Sequence, residues 1–114
     1  MQRDPRIYLQ DVLDAARAIE SFLLNVTELN FAENELVQSA VYYQFAIIGE
    51  ALNNFSKTSA EQAEAIPDLK NIISFRNILT HAYHKVSSDL VYGYAKDRLP
   101  VLRSSTEMLI AKIS

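Results

Sequence analysis

Arg76 and His81 are the two side chains of this 114-residue chain whose types and spacing suggest chemistry. An arginine offers a planar fork of N–H donors that fits a phosphate group. A histidine titrates near neutral pH and can therefore donate or accept a proton. RNA supplies its own nucleophile, the 2′-hydroxyl. An Arg–His pair is therefore a minimal set for cleaving RNA by proton transfer and stabilisation of the phosphorane.

The spacing of Arg76 and His81 raises a geometric question. Five residues on an ideal helix correspond to about 140° of rotation, so the two side chains diverge if one straight helix carries both. Two arrangements would bring them together: the helix loosens before His81, or two copies of the segment meet across a two-fold axis. On spacing alone, such a pair is more often solvated surface than an active site.

A metal site is the other chemistry that the histidines suggest. His81 and His84 lie three residues apart, but the chain has no cysteine, and no well-placed carboxylate completes a ligand set. The sequence therefore predicts chemistry that uses no metal and no other cofactor.

Hydrophobic periodicity predicts the helices that must position these residues. The first helix is predicted from about Pro5 to Asn25, after an N-cap at Asp4. The second is predicted from about Glu33 to Phe55 and carries two adjacent apolar residues per turn. Gly49 lies in the middle of this helix, where glycine is unfavourable, which indicates the close approach of another helix.

Two shorter helices are predicted in the second half of the chain. A capping-box sequence that begins at Ser59 predicts a short helix to about Ala65. Pro67 and Asp68 then open the helix that carries the Arg–His pair, which is predicted from Leu69 to about His81.

The last helix is predicted from about Asp89 to Lys112. Pro100 removes one backbone hydrogen bond inside it and predicts a kink near Lys96 to Leu99. Together the five segments predict a single all-α domain over residues 1–114, an antiparallel up-and-down helix bundle.

The bulk composition limits the class of protein. A net charge of −3 argues against a general nucleic-acid coat protein, but it is compatible with an enzyme that holds RNA in one local groove. The polar N-terminus lacks the apolar segment of a signal peptide. The apolar stretches, of which Phe45 to Ile48 is an example, are far shorter than the ~20 residues of a membrane span. We therefore expect a soluble cytoplasmic protein without a membrane partner.

The eight residues from Arg76 to Tyr83, R-N-I-L-T-H-A-Y, resemble the R-X4-H-X-Y signature of the HepT-like branch of the HEPN ribonucleases. Asn77 also fits, since that family has a polar residue directly after the arginine. The likeness covers nearly the whole chain in order and spacing. Its other segments are Asp4 to Leu13, Ile48 to Ala51, Ile66 to Pro67 and Leu99 to Pro100.

This resemblance implies a HEPN-like fold and a metal-independent endoribonuclease that acts as a homodimer, with Arg76, His81 and Asn77 in its active site. It also implies a type VII-like toxin–antitoxin pair, whose partner is a minimal nucleotidyltransferase antitoxin. That antitoxin would transfer AMP from ATP to Tyr83 and so place phosphate beside the Arg–His pair. Glu50 could orient Arg76 as a neighbouring carboxylate, but a glutamate on an exposed helix face is an equally good interpretation.

The tyrosines outside the motif bear on oligomeric state. Tyr42, Tyr43, Tyr92 and Tyr94 are expected to be packing or dimer residues rather than platforms for stacking bases. The wide apolar stripe of the second helix and the tyrosines of the last one exceed what one small bundle needs, which predicts a two-fold dimer. Two copies of Lys85 and of the Arg–His pair would make its cleft locally positive.

Two other interpretations remain open at this point. The chain could be a non-catalytic helical subunit that binds a nucleotidyltransferase and helps it address a substrate. It could also be a helical dimerisation module without chemistry. The intact pair of Arg76 and His81 favours the ribonuclease over both.

Overall fold

Seven α-helices make up the part of the chain that the computed structural model describes, residues 3–81 and 86–113. In chain order they are α1 (Pro5–Phe22), α2 (Glu28–Glu33), α3 (Glu35–Thr58), α4 (Ala60–Ala63), α5 (Leu69–His81), α6 (Ser88–Asp97) and α7 (Leu99–Ile113). The predicted all-α bundle is therefore confirmed, with seven helices in these two ranges instead of about five. None of these helices combines the length and apolar character that crossing a membrane requires.

Helix α1 begins where the sequence predicts and ends three residues early. The Asp4 carboxylate accepts a hydrogen bond from the Arg6 backbone N–H at 3.0 Å, and Pro5 occupies the first turn. Asn25 has φ of 63°, a left-handed conformation that asparagine adopts more readily than most residues. The predicted end at Asn25 is therefore wrong, because the chain has already turned away after Phe22.

Helix α2 was not predicted from the sequence. It begins after Thr27, whose side-chain oxygen accepts a hydrogen bond from the Asn30 backbone N–H at 3.1 Å. Asn34 then separates α2 from α3 and caps α3 by accepting from the Val37 N–H at 3.0 Å. As a result α3 begins two residues after the predicted Glu33.

The junction between α3 and α4 corrects a second prediction. Helix α3 continues to Thr58, past the predicted end at Phe55, and α4 is a single turn that ends at Ala63 rather than Ala65. The Ser59 side chain caps no N–H of the described residues. Ser59 lies between two consecutive helices, and its own N–H closes α3 by donating to the Phe55 carbonyl at 2.8 Å.

The predicted kink at Pro100 is a complete break. Helices α6 and α7 are separated at Arg98, within the segment where the sequence predicts a distortion. Pro100 lies in the first turn of α7, where its missing N–H is tolerated. Arg98 donates from Nε to the Asp68 carboxylate at 2.9 Å, which ties this break to the start of α5.

The core lies along α3, which packs against both α1 and α5, while α7 packs against α1. Three of the tyrosines outside the motif pack as expected. The Tyr92 hydroxyl donates to the Val26 carbonyl at 2.6 Å, and the Tyr42 ring lies 6.3 Å from that of Phe31. Burial, with a smaller contribution from the charge of Asp68, raises the pKa of Tyr94 to about 12.

Candidate functional site

Arg76 lies at a close contact between α5 and α3. A Cβ atom at Gly49 would lie 2.4 Å from the Arg76 Cβ and 3.3 Å from the Ile72 carbonyl oxygen. Both distances are shorter than an ordinary carbon contact, so no larger side chain fits unless the two helices move. The prediction that Gly49 marks a close helix–helix approach is confirmed, and the residue on the other side of that approach is Arg76.

Glu50 contacts Arg76 directly. The Arg76 Nη1 donates to the Glu50 Oε2 at 2.7 Å. The Glu50 side chain is 54% exposed and that of Arg76 is 26% exposed, so the pair lies at the edge of the packed interface. The Arg76 Nε is buried and has no hydrogen-bond partner within residues 3–81 and 86–113. The contact between Glu50 and Arg76, which the sequence left open, is therefore present.

The pair faces an open groove of about 330 Å³ that three helices line. Its polar and aromatic lining side chains are Arg3, Tyr8, Asp11, Tyr43, Glu50, Asn54, Arg76 and Thr80. Arg3 donates to the Asp11 carboxylate at 3.4 Å, and its guanidinium lies 5.2 Å from the centre of the Tyr8 ring. A second arginine, held by Asp11 and Tyr8, thus lines the groove.

His81 lies on a different face of α5 from Arg76. Helix α5 is continuous from Leu69 to His81, and the Thr80 hydroxyl donates to the Arg76 carbonyl at 2.8 Å within its last turns. The helix therefore does not loosen before His81, and the rotation of about 140° between the two residues is kept. The structure does not bring Arg76 and His81 together within one chain.

Asn77 accompanies His81 rather than Arg76. It precedes His81 by one helical turn, so both project from the same side of α5. Ser74 and Lys70 extend this line, and all four side chains are exposed. Helix α5 thus presents an arginine to the groove and a polar row with a terminal histidine to solvent.

Three residues selected from the sequence, Tyr83, His84 and Lys85, lie outside the described residues. Within residues 3–81 and 86–113, no cluster of three His, Asp or Glu side chains has the arrangement of a metal site.

Several groove residues, Arg3, Asp11 and Asn54 among them, carry no signal in a local sequence motif. They come from the start of the chain and from the third helix, and no local motif connects them to Arg76. Arg3 and Asp11 lie at or beside the Asp4–Leu13 segment that the family resemblance had already marked. The resemblance of that segment to the family was the sequence signal that could have pointed to Arg3 and Asp11.

Gly49→Ala is expected to lower the free energy of unfolding by about 1 kcal/mol. Overpacking costs about 1–3 kcal/mol, which outweighs the helix-propensity gain of just under ~1 kcal/mol. The matched control is Gly93→Ala in α6, where a Cβ meets no described atom within 4 Å, so this variant should gain up to ~1 kcal/mol. Chemical denaturation measures both. Equal stabilisation by the two alanines would contradict the tight α3–α5 contact.

Comparison with known proteins identifies relatives of the chain. A family model described as HepT-like ribonuclease matches residues 12–109. A Methanocaldococcus jannaschii protein, whose name gives its RNase activity as inferred, is 27% identical over 108 residues. The match covers 95% of this chain and 98% of that protein. A second such protein from the same organism is 30% identical over 112 residues, covering 98% and 92% of the two chains.

A protein of Thermococcus cleftensis, named a probable ribonuclease HepT, is 29% identical over 109 residues, which covers 96% of this chain and 98% of that protein. No solved structure matches the chain. The similarity to these relatives spans nearly the full chain, from the groove to the last helix.

Proposed function

Because this chain belongs to the HepT-like ribonuclease family, we propose that it is a metal-independent endoribonuclease, the toxin of a two-component toxin–antitoxin pair acting in the cytoplasm. The observation that supports this most directly is the position of Arg76. Its guanidinium lies at an open groove, fixed by Glu50 at 2.7 Å and by the close packing on Gly49. A phosphate donor held in place before substrate binds needs little reorganisation during the reaction.

The proposed chemistry is transesterification within the RNA. One His81 imidazole removes the proton of a 2′-hydroxyl, and the 2′-oxygen attacks the adjacent phosphorus. The bond from phosphorus to the 5′-oxygen breaks, that oxygen takes a proton from water, and the imidazolium returns its proton to the solvent. The products are a 2′,3′-cyclic phosphate and a free 5′-hydroxyl. Arg76 donates to the non-bridging phosphate oxygens, where negative charge accumulates in the phosphorane.

Glu50 serves in this proposal as a positioning residue. Its carboxylate accepts from Nη1 of Arg76 and leaves the Nη2 donors for phosphate, since the Nε is buried. Asn77 lies one turn from His81 and is proposed to orient the RNA beside the imidazole.

The divergence of Arg76 and His81 supports a homodimer. One copy of α5 points its arginine into the groove and its histidine to solvent about 140° away, so one chain does not supply both groups to one phosphate. Two copies related by a two-fold axis place the arginine of one protomer against the histidine of the other. Each active centre of such a dimer holds one Arg76 and one His81, which come from different protomers.

The direct test of the function is cleavage of RNA by the purified chain, with and without EDTA. We expect cleavage under both conditions. Loss of cleavage in EDTA would contradict the metal-independent reaction. The absence of cleavage under either condition, together with binding to a nucleotidyltransferase, would favour the non-catalytic subunit instead.

Mixing two inactive variants tests whether the site spans two protomers. Arg76→Ala and His81→Ala, unfolded and refolded together, should recover about a quarter of wild-type cleavage. Half of the dimers are mixed, and each mixed dimer keeps one site in which arginine and histidine are both intact. Each variant refolded alone is the control. If the mixture stays as inactive as its components, both groups act from one chain.

We also propose that the cognate minimal nucleotidyltransferase silences this ribonuclease by transferring AMP to Tyr83. The support is the position of Tyr83 in the sequence, two residues after His81, at which α5 ends. A phosphate attached there adds negative charge near the groups that are proposed to hold RNA phosphate.

A further inference from the structure

Tyr43 is an aromatic side chain that the packing of the chain does not explain. It is 67% exposed, whereas Tyr42, Tyr92 and Tyr94 each pack against another ring. Tyr43 also lines the groove that contains Arg76. Of the two roles expected for these tyrosines, packing within the chain does not account for Tyr43, which leaves a contact with a second copy or with a ligand.

The charges of the groove indicate what it can hold. Two arginines, Arg3 and Arg76, face two carboxylates, those of Asp11 and Glu50, so the formal charges cancel. A groove with this balance is a poor track for several successive phosphates. It suits one phosphate on an arginine together with a neutral group that has a polar edge.

The remaining lining side chains supply contacts for such a neutral group. Asn54 offers both a donor and an acceptor, and an asparagine amide matches the paired donor and acceptor at the edge of a nucleobase. Tyr43 offers a ring face, on which any base can stack. The volume of about 330 Å³ is at the lower end for small-molecule sites and suits one nucleotide rather than a longer segment.

We propose that this groove is a nucleobase subsite, in which a base of the RNA stacks on Tyr43 and presents its edge to Asn54 while its phosphate lies on Arg76. The proposal rests on the proposed ribonuclease function and adds a residue that determines how the substrate is held. The other candidate occupant of the Tyr43 surface is a second copy of this chain. The polar lining favours the base, since a stable protein interface has few charged groups at its centre.

Leu36 provides a matched control for that alternative. It lies on α3 seven residues before Tyr43, about two turns away on the same helix face, and is 80% exposed. Leu36 does not belong to the groove lining. A protomer docked along this face would contact both residues, whereas a base in the groove would contact Tyr43 alone.

The test is isothermal titration calorimetry of the wild-type chain and of its variants with the four nucleoside 3′-monophosphates. Tyr43→Ala should weaken binding by about fivefold to tenfold, and Tyr43→Phe, which keeps the ring, should change it by less than about twofold. Leu36→Ala should bind as the wild type does. In RNA cleavage, Tyr43→Ala should raise KM more than it lowers kcat.

The outcomes separate this proposal from the proposed function. If the wild-type chain cleaves RNA and Tyr43→Ala changes neither nucleotide affinity nor KM, the subsite is wrong and the ribonuclease stands. If nucleotides bind in a Tyr43-dependent manner without any cleavage, the subsite stands and the ribonuclease fails. Equal weakening of a dimer by Tyr43→Ala and Leu36→Ala, with nucleotide affinity unchanged, would assign Tyr43 to a protein interface. Failure of the wild-type chain to bind any of the four nucleotides would also overturn the proposal.

Discussion

RNA cleavage is expected to fall by a factor of about 10²–10⁴ in His81→Ala, because the variant has no group that moves the proton of the 2′-hydroxyl. Arg76→Ala should lose about 10²–10³, the usual loss when one donor to a developing negative charge is removed. Both variants should fold, since His81 is exposed and Arg76 lies at the groove edge rather than in the apolar core. The measurement is the initial rate on a labelled RNA, together with circular dichroism of each variant.

Ser74→Ala is the matched control for His81→Ala. Ser74 lies on the same exposed side of α5, two turns earlier, and the proposal gives it no role. It should cleave at close to the wild-type rate. Wild-type cleavage by His81→Ala would overturn the assignment of the catalytic histidine, whereas an equal loss in Ser74→Ala would indicate a general effect on α5.

Glu50→Gln should have a smaller effect than either catalytic variant. Glutamine keeps a carbonyl oxygen that can accept from Arg76, but it removes the charge that fixes the guanidinium. The loss should therefore appear mainly in kcat and become larger in Glu50→Ala, which has no acceptor. A loss of the same size in both variants would mean that the charge of Glu50, rather than its hydrogen bond, holds Arg76.

Incubation with the cognate nucleotidyltransferase, ATP and Mg²⁺ is expected to abolish cleavage and to raise the intact mass by one or more AMP units. Each esterified phosphate adds a negative charge, which competes with RNA phosphate for Arg76 in the manner of a phosphorylated residue beside an arginine. The bulk of the nucleotide would also obstruct the path of the RNA. Peptide mapping of the modified chain should locate the added mass on Tyr83.

Tyr83→Phe separates modification from simple blocking by the partner. This variant lacks only the acceptor hydroxyl, so it should keep its fold, cleave RNA and resist both labelling and silencing. If it is still labelled and silenced, the acceptor lies elsewhere, and the exposed Tyr43 is the next position to test. If the wild-type chain is silenced without a change in mass, the antitoxin acts by occlusion.

The helices that the sequence predicted well are those with strong local signals. Helix α5 has the predicted bounds, because Pro67 and Asp68 mark its start and its apolar residues recur over several turns. Helix α2 was missed because it has six residues and buries only Phe31, which is too little for a periodic pattern. Its signals were the capping residues Thr27 and Asn34, which act at a single N–H each and are weak evidence alone.

The candidate site was likewise predictable only where the sequence signal is local. The motif placed Arg76, His81 and Asn77 on one helix, and helical geometry alone gave the angle between the first two. The groove could not be predicted, because Arg3 and Asn54 reach it through the packing of α1 and α3. The contact of Gly49 with the Arg76 Cβ was predictable in part. The sequence indicated a close approach there but not the residue that makes it.

The opposite orientations of the two motif side chains on α5 have a consequence for gene dosage. If each active centre needs an arginine from one protomer and a histidine from another, an isolated chain is harmless. Below the dissociation constant of the dimer, the number of active centres rises with the square of the protomer concentration. Low basal expression would then yield almost no ribonuclease, and a few-fold excess of newly made toxin over its antitoxin would release it steeply. A single continuous helix would thus set a threshold for toxicity.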